Sequence, residues 1–137
     1  MGQICARYAQ PQSNIYDLGC SLGAVSLAAS KYIKSENCHI LAIDNSHAMA
    51  QRCELHVKAF KAATPISVIC DDIQNIDIKN GYSSQDLNGD LIIINELSEI
   101  SDKLINDLLK SNKKNNILFI PSLNKEPRYN KLFNLIN

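Results

Sequence analysis

The chain has 137 residues, with 14 basic and 14 acidic side chains and a formal net charge of zero. That length suits one domain, residues 1–137, with a core of its own, and the charge balance offers no basic face for nucleic acid or an anionic membrane. Five cysteines (Cys5, Cys20, Cys38, Cys53, Cys70) are scattered without a CxxC pair, and no apolar run nears the ~20 residues of a membrane span, so the expectation is a soluble cytoplasmic protein with reduced thiols.

Short β-branched runs alternate with helical patterns along the chain. Residues 15–18 read as a first strand, and residues 23–34 as a helix with Val25, Ala28, Ala29 and Tyr32 at helical spacing. Residues 39–44 (HILAID) form the second strand; Ser46 caps a helix whose stripe is Met49, Cys53, Val57 and Phe60. Residues 66–70 (ISVIC), 90–95 (DLIIIN) and 117–120 (ILFI) are the third, fourth and fifth strands. Ser101 opens another helix with Leu104, Ile105, Leu108 and Leu109 inward, residues 81–89 are a polar loop, and the tail from 125 ends in a short helix. Continuous apolar strands need cover on both faces, and parallel neighbours need crossovers. The pattern therefore predicts an α/β, doubly wound, Rossmann-like domain with a mostly parallel sheet of about five strands.

The loop that follows the first strand, Gly19-Cys20-Ser21-Leu22-Gly23, leaves the carboxyl edge of the sheet, where such folds hold their ligands. Gly19 and Gly23 let the backbone turn sharply and approach a ligand. The next helix aims its positive end at the same place. A tight strand-to-helix turn would look the same in isolation. Two acids separate the readings: Asp44 ends the second strand, where a carboxylate can take both ribose hydroxyls, and Asp72 follows the third, with apolar Ile73 beside it to cover a base. Three features at three successive strand ends point to a nucleoside site.

The order is G-x-S-x-G, not the G-x-G-x-x-G of dinucleotide folds. Asp17, Gly19, Ser21 and Gly23 together resemble the first motif of class I S-adenosylmethionine-dependent methyltransferases. Within that superfamily, YDLGCSLGA, AIDNSHAM with QRC behind it, and PISVICDDIQNI resemble the carboxy-S-adenosyl-L-methionine synthase family, most strongly over residues 1–80. The resemblance implies an enzyme, a transferase of methyltransferase fold. It would bind S-adenosyl-L-methionine or carboxy-S-adenosyl-L-methionine and use prephenate as its small-molecule substrate, with no direct nucleic-acid partner. The product would serve tRNA wobble-uridine modification. It also implies that Gly19, Cys20 and Ser21 lie along the methionine part, that Asp44 and Asn45 lie at the ribose and adenine, and that Asp72 and Ile73 lie at the adenine. Asn95 closes the fourth strand. Family members begin earlier and run on past residue 137, so the usual last two strands and the arginine for the extra carboxylate are expected to be missing. A fifth strand left at the sheet edge would favour a homodimer.

No residue is nominated as a catalytic acid or base. His39, His47, His56 and Cys53 lack the convergent partners of a zinc site, so no metal is expected. Cys20 has no base beside it and is expected to pack. Three readings stand: a carboxy-S-adenosyl-L-methionine synthase or another small-molecule methyltransferase, a truncated remnant that binds without turnover, and a nicotinamide-binding domain, which the loop spacing disfavours.

Overall fold

Unbroken runs of Ile, Leu, Val and Ala give strands that suit burial on both sides, and the computed structural model, which describes residues 2–73, 91–94 and 116–119, forms them where those runs lie. In chain order the elements are α1 (Gly2–Tyr8), β1 (Asn14–Leu18), α2 (Ala24–Tyr32), β2 (His39–Asp44), α3 (His47–Phe60), β3 (Ile66–Cys70), β4 (Leu91–Ile94) and β5 (Asn116–Phe119). The five strands form one sheet in the order β3-β2-β1-β4-β5, and every pairing is parallel. The second and third strands have their expected bounds. The fourth is trimmed by a residue at each end, and the fifth begins and ends one residue early. The expected loop at 81–89, the helix from Ser101 and the tail helix lie outside the described residues, as does Asn95.

Side chains alternate across a strand, so the paired residues Ile15 and Ile40 share one face with Leu91, and the next pairing on that face is Asp17 with Ala42 and Ile93. On that face α1 and α2 pack over Cys5, Ala9, Ile15, Ala29, Ile33, Ile40, Leu91 and Ile93, all buried. Farther along, α3 packs over Cys20, Ala42 and Cys53, with Val57 and Val68 against them. Tyr16, Leu18, Leu41, Ile43, Ile92 and Ile94 on the opposite face are buried too.

The two helix stripes need correction. In α2 the buried residues are Ser26, Ala29 and Ser30, while Tyr32 is exposed. Both serines have partners in the interior: the Ser26 hydroxyl donates to Asp17 Oδ2 (2.5 Å), and the Ser30 hydroxyl donates to the Thr64 carbonyl (2.9 Å). Hydrogen-bonded polar groups can be buried, so this inward face is partly polar. In α3, Ala50 and Cys53 are buried, Met49 and Val57 half-buried, and Phe60 exposed at the helix end.

Candidate functional site

β1 ends at Leu18, and the chain turns at once. Gly19 has φ 76°, Ser21 φ 52° and Gly23 φ 87°, three left-handed residues in five. Glycine takes such angles without steric cost, and a serine there must be held. Gly19 and Cys20 both donate backbone N–H bonds to the Ile43 carbonyl (2.9 Å each), fastening the loop to the end of β2. The Gly23 N–H returns to the Cys20 carbonyl (2.9 Å) and closes the turn. A β-carbon on Gly23 would stand 2.6 Å from Cys53 Sγ, so the position requires glycine for space as well as for φ.

Asp44 organises the mouth of the site. Its Oδ2 accepts the Ser21 N–H (2.9 Å) and its Oδ1 accepts the Ser46 N–H (2.8 Å). One carboxylate thus links the loop after β1 to the start of α3. Ser46 in turn caps α3, its hydroxyl accepting the Met49 N–H (3.4 Å). A carboxylate has about four lone-pair positions, so two acceptor sites remain on this half-buried group for a ligand's hydroxyls. The Asp44 carbonyl accepts from the Asp71 N–H (3.1 Å), which carries the β2–β3 pairing past the strand ends.

The remaining sequence-selected residues divide by exposure. Asn45, Ser21 and Asp72 are exposed at this carboxyl edge, and Asp72 donates its N–H to Asp71 Oδ1 (2.7 Å). Ile73 is buried. Cys20 is buried under the loop with Ala42 and Cys53, so its side chain packs, and its backbone N–H and C=O are both already used, by the Ile43 carbonyl and the Gly23 N–H. Burial, the neighbouring Cys53 and the negative charges of Asp17 and Asp44 push the Cys20 thiol far above the ordinary thiol range. Burial likewise raises Cys53. Neither thiol is a ready nucleophile, because the thiolate is the reactive form.

Two contacts were not legible in the sequence. Asp17, fully buried at the end of β1, takes the Ser26 hydroxyl and so ties β1 to the first turn of α2. That turn opens on Gly23 with no side-chain cap, so no N-cap side chain accepts from its first N–H groups. His56, dismissed above as a metal ligand, lies with Nδ1 3.0 Å from the Leu22 carbonyl in the loop. Among the described residues no group of His, Cys, Asp and Glu side chains could hold a metal ion, and no helix is long and apolar enough to cross a membrane.

Residues 15–114 match the family model described as a methyltransferase domain. The chain is 69% identical over 83 residues to the carboxy-S-adenosyl-L-methionine synthase of Pseudoalteromonas atlantica (strain T6c / ATCC BAA-1087), covering 61% of this chain and 34% of that protein. It is 54% identical over 80 residues to the same-named protein of Vibrio vulnificus (strain YJ016), covering 58% and 33%. The chain thus spans about a third of the length of the curated relatives it matches. Among solved structures, a SAM dependent methyltransferase from Aquifex aeolicus superposes with a TM-score of 0.62 at 19% identity, over 97% of this chain and 74% of that one, a likeness of fold.

Proposed function

Because the chain belongs to the methyltransferase domain family, we propose that its carboxyl-edge crevice binds S-adenosyl-L-methionine and serves a carboxy-S-adenosyl-L-methionine synthase. The observation that carries this reading is the Asp44 carboxylate, which joins loop and helix while keeping two acceptor positions. That carboxylate takes the ribose hydroxyls. The loop from Gly19 to Gly23, with Cys20 and Ser21 in it, lies along the amino-acid end, and the start of α2, which has no side-chain cap, offers backbone N–H groups to it. Asn45, Asp72 and Ile73 flank the adenine, and Asn95 takes part in binding the same ligand. S-adenosyl-L-methionine supplies an activated methyl group on its sulfonium. The described residues bind and orient it, and none is assigned a proton-transfer step.

The identity to proteins named carboxy-S-adenosyl-L-methionine synthase supports the synthase reading; by the resemblance of its motifs to that family, prephenate is the second substrate and the product feeds tRNA modification in the cytoplasm. Incubation with S-adenosyl-L-methionine and prephenate, followed by mass spectrometry, tests this. Carboxy-S-adenosyl-L-methionine is the expected product. Tight cofactor binding without product would favour the reading of a binding protein that does not turn over, and no binding of S-adenosyl compounds would overturn both.

A further inference from the structure

The loop rests against one face of α3. Met49, Cys53 and His56 recur at i, i+4 and i+7, the spacing of one helical face. Each meets a different loop residue. The Ser21 hydroxyl lies 3.9 Å from Met49 Sδ, Cys53 Sγ fills the space beside Gly23, and His56 Nδ1 stands 3.0 Å from the Leu22 carbonyl. A carbonyl oxygen can only accept, so Nδ1 of His56 carries the proton and Nε2 is the free nitrogen of the neutral ring.

The Leu22 carbonyl and the Gly23 N–H belong to one rigid peptide plane. Its N–H end is tied to the Cys20 carbonyl (2.9 Å) and its C=O end to His56 (3.0 Å), so the plane is held at both ends. The plane before Ser21 is held by Asp44 through the Ser21 N–H (2.9 Å). The Ser21–Leu22 peptide lies between these two fixed planes. The Leu22 side chain is 39% exposed and is not what anchors the loop.

We propose that His56 is a positioning residue for ligand binding: through the Leu22 carbonyl it orients the Ser21–Leu22 peptide so that the Leu22 N–H is presented to the amino-acid end of an S-adenosyl ligand. This rests on the functional reading above, and it gives a second-layer side chain on α3 a role in choosing ligands that carry an amino acid. His56 does not touch the ligand, and the ribose and base are held elsewhere. Loss of its hydrogen bond should therefore weaken ligands with the amino-acid arm and leave adenosine alone.

Calorimetry on the full chain with S-adenosyl-L-homocysteine and with adenosine tests the proposal. His56→Ala is expected to weaken S-adenosyl-L-homocysteine about fivefold, the effect of one hydrogen bond, with adenosine unchanged within about twofold. His56→Asn, whose amide nitrogen occupies the place of Nδ1, should restore binding. His56→Gln, whose amide reaches the place of Nε2, should behave like alanine. An equal loss for both ligands, or no loss, would overturn the proposal. Wild-type protein that binds neither ligand would overturn the functional reading and the proposal with it. Nitrogen-15 spectra of the wild-type imidazole give a check that needs no variant: an Nε2–H tautomer in the neutral ring rules out the Leu22 bond.

Discussion

Asp44 accepts two backbone N–H bonds before any ligand arrives, so its side chain has a structural role beside the binding role proposed for it. A hydrogen bond to a charged group contributes about 1.5–3 kcal/mol, and loss of one costs roughly tenfold or more in affinity. Asp44→Asn keeps an acceptor for one N–H but turns an amide donor toward the other. It is expected to weaken S-adenosyl-L-homocysteine by at least about tenfold in calorimetry. Glu36→Ala, at an exposed acid on the far side of β2, should bind like the parent. Equal affinities for the two variants would remove Asp44 from the site. Gly23 allows a second test at this scale. Alanine there takes a left-handed φ of 87° and drives its β-carbon to 2.6 Å from Cys53 Sγ. The angle alone costs about 1–2 kcal/mol, and the collision adds to it. Combining Gly23→Ala with Cys53→Ala removes the collision and leaves the angle, so urea unfolding should show the two changes coupled by about 1 kcal/mol or more. Strict additivity would mean that Cys53 does not press on the loop. The glycines, Asp44 and Ser21 were visible in the sequence as residue types at strand ends. The carboxylate bridge was not, because no local pattern records a contact between residues 23 apart.

Among elements, the strands were the more legible. β2 and β3 run between sharp changes of composition, HILAID before Asn45 and ISVIC before Asp71, and they begin and end there. The inward face of α2 was misread because Ser26 and Ser30 occupy it and Tyr32 lies outside. Hydrophobic periodicity finds a helix face when the face is apolar, and here two hydroxyls are buried against specific acceptors. Those acceptors lie on β1 and just before β3, so the serines fix where α2 sits on the sheet. Ser26→Ala removes a donor from the fully buried Asp17 carboxyl and should cost about 2 kcal/mol. Ser46→Ala removes the α3 cap and should cost about 1 kcal/mol. The order of the two costs, read from urea midpoints at equal slopes, is the test. A smaller loss at Ser26 would show that other groups satisfy Asp17 in its absence.

At the scale of the whole molecule, the sheet order β3-β2-β1-β4-β5 sends the chain outward from β1 to β3 and then back across to β4. Folds of this kind hold ligands beyond the carboxyl ends of the strands where the direction reverses, which here falls between β1 and β4, and the loop from Gly19 to Gly23 follows β1 at that point. Alternating strands and helices were enough to foresee this topology through β3. The ligand class depends on finer detail, since nicotinamide dinucleotides use the same crevice and also place an acid at the end of the second strand. Dinucleotide folds need a bare glycine where the backbone meets the pyrophosphate; this chain has Ser21 there, an exposed residue with a side chain and with its N–H already given to Asp44. The loop cannot sink to make room, because Cys53 fills the space beneath Gly23. An S-adenosyl ligand, with no pyrophosphate, fits beside such a loop. A ligand at a hundred times its dissociation constant stabilises the native state by about 2.7 kcal/mol, which for a chain of this size raises the melting temperature by about 5–10 °C. S-adenosyl-L-homocysteine is expected to give a shift of that size in a thermal melt, and NAD at the same concentration close to none. A larger shift with NAD would assign the crevice to a dinucleotide in spite of Ser21.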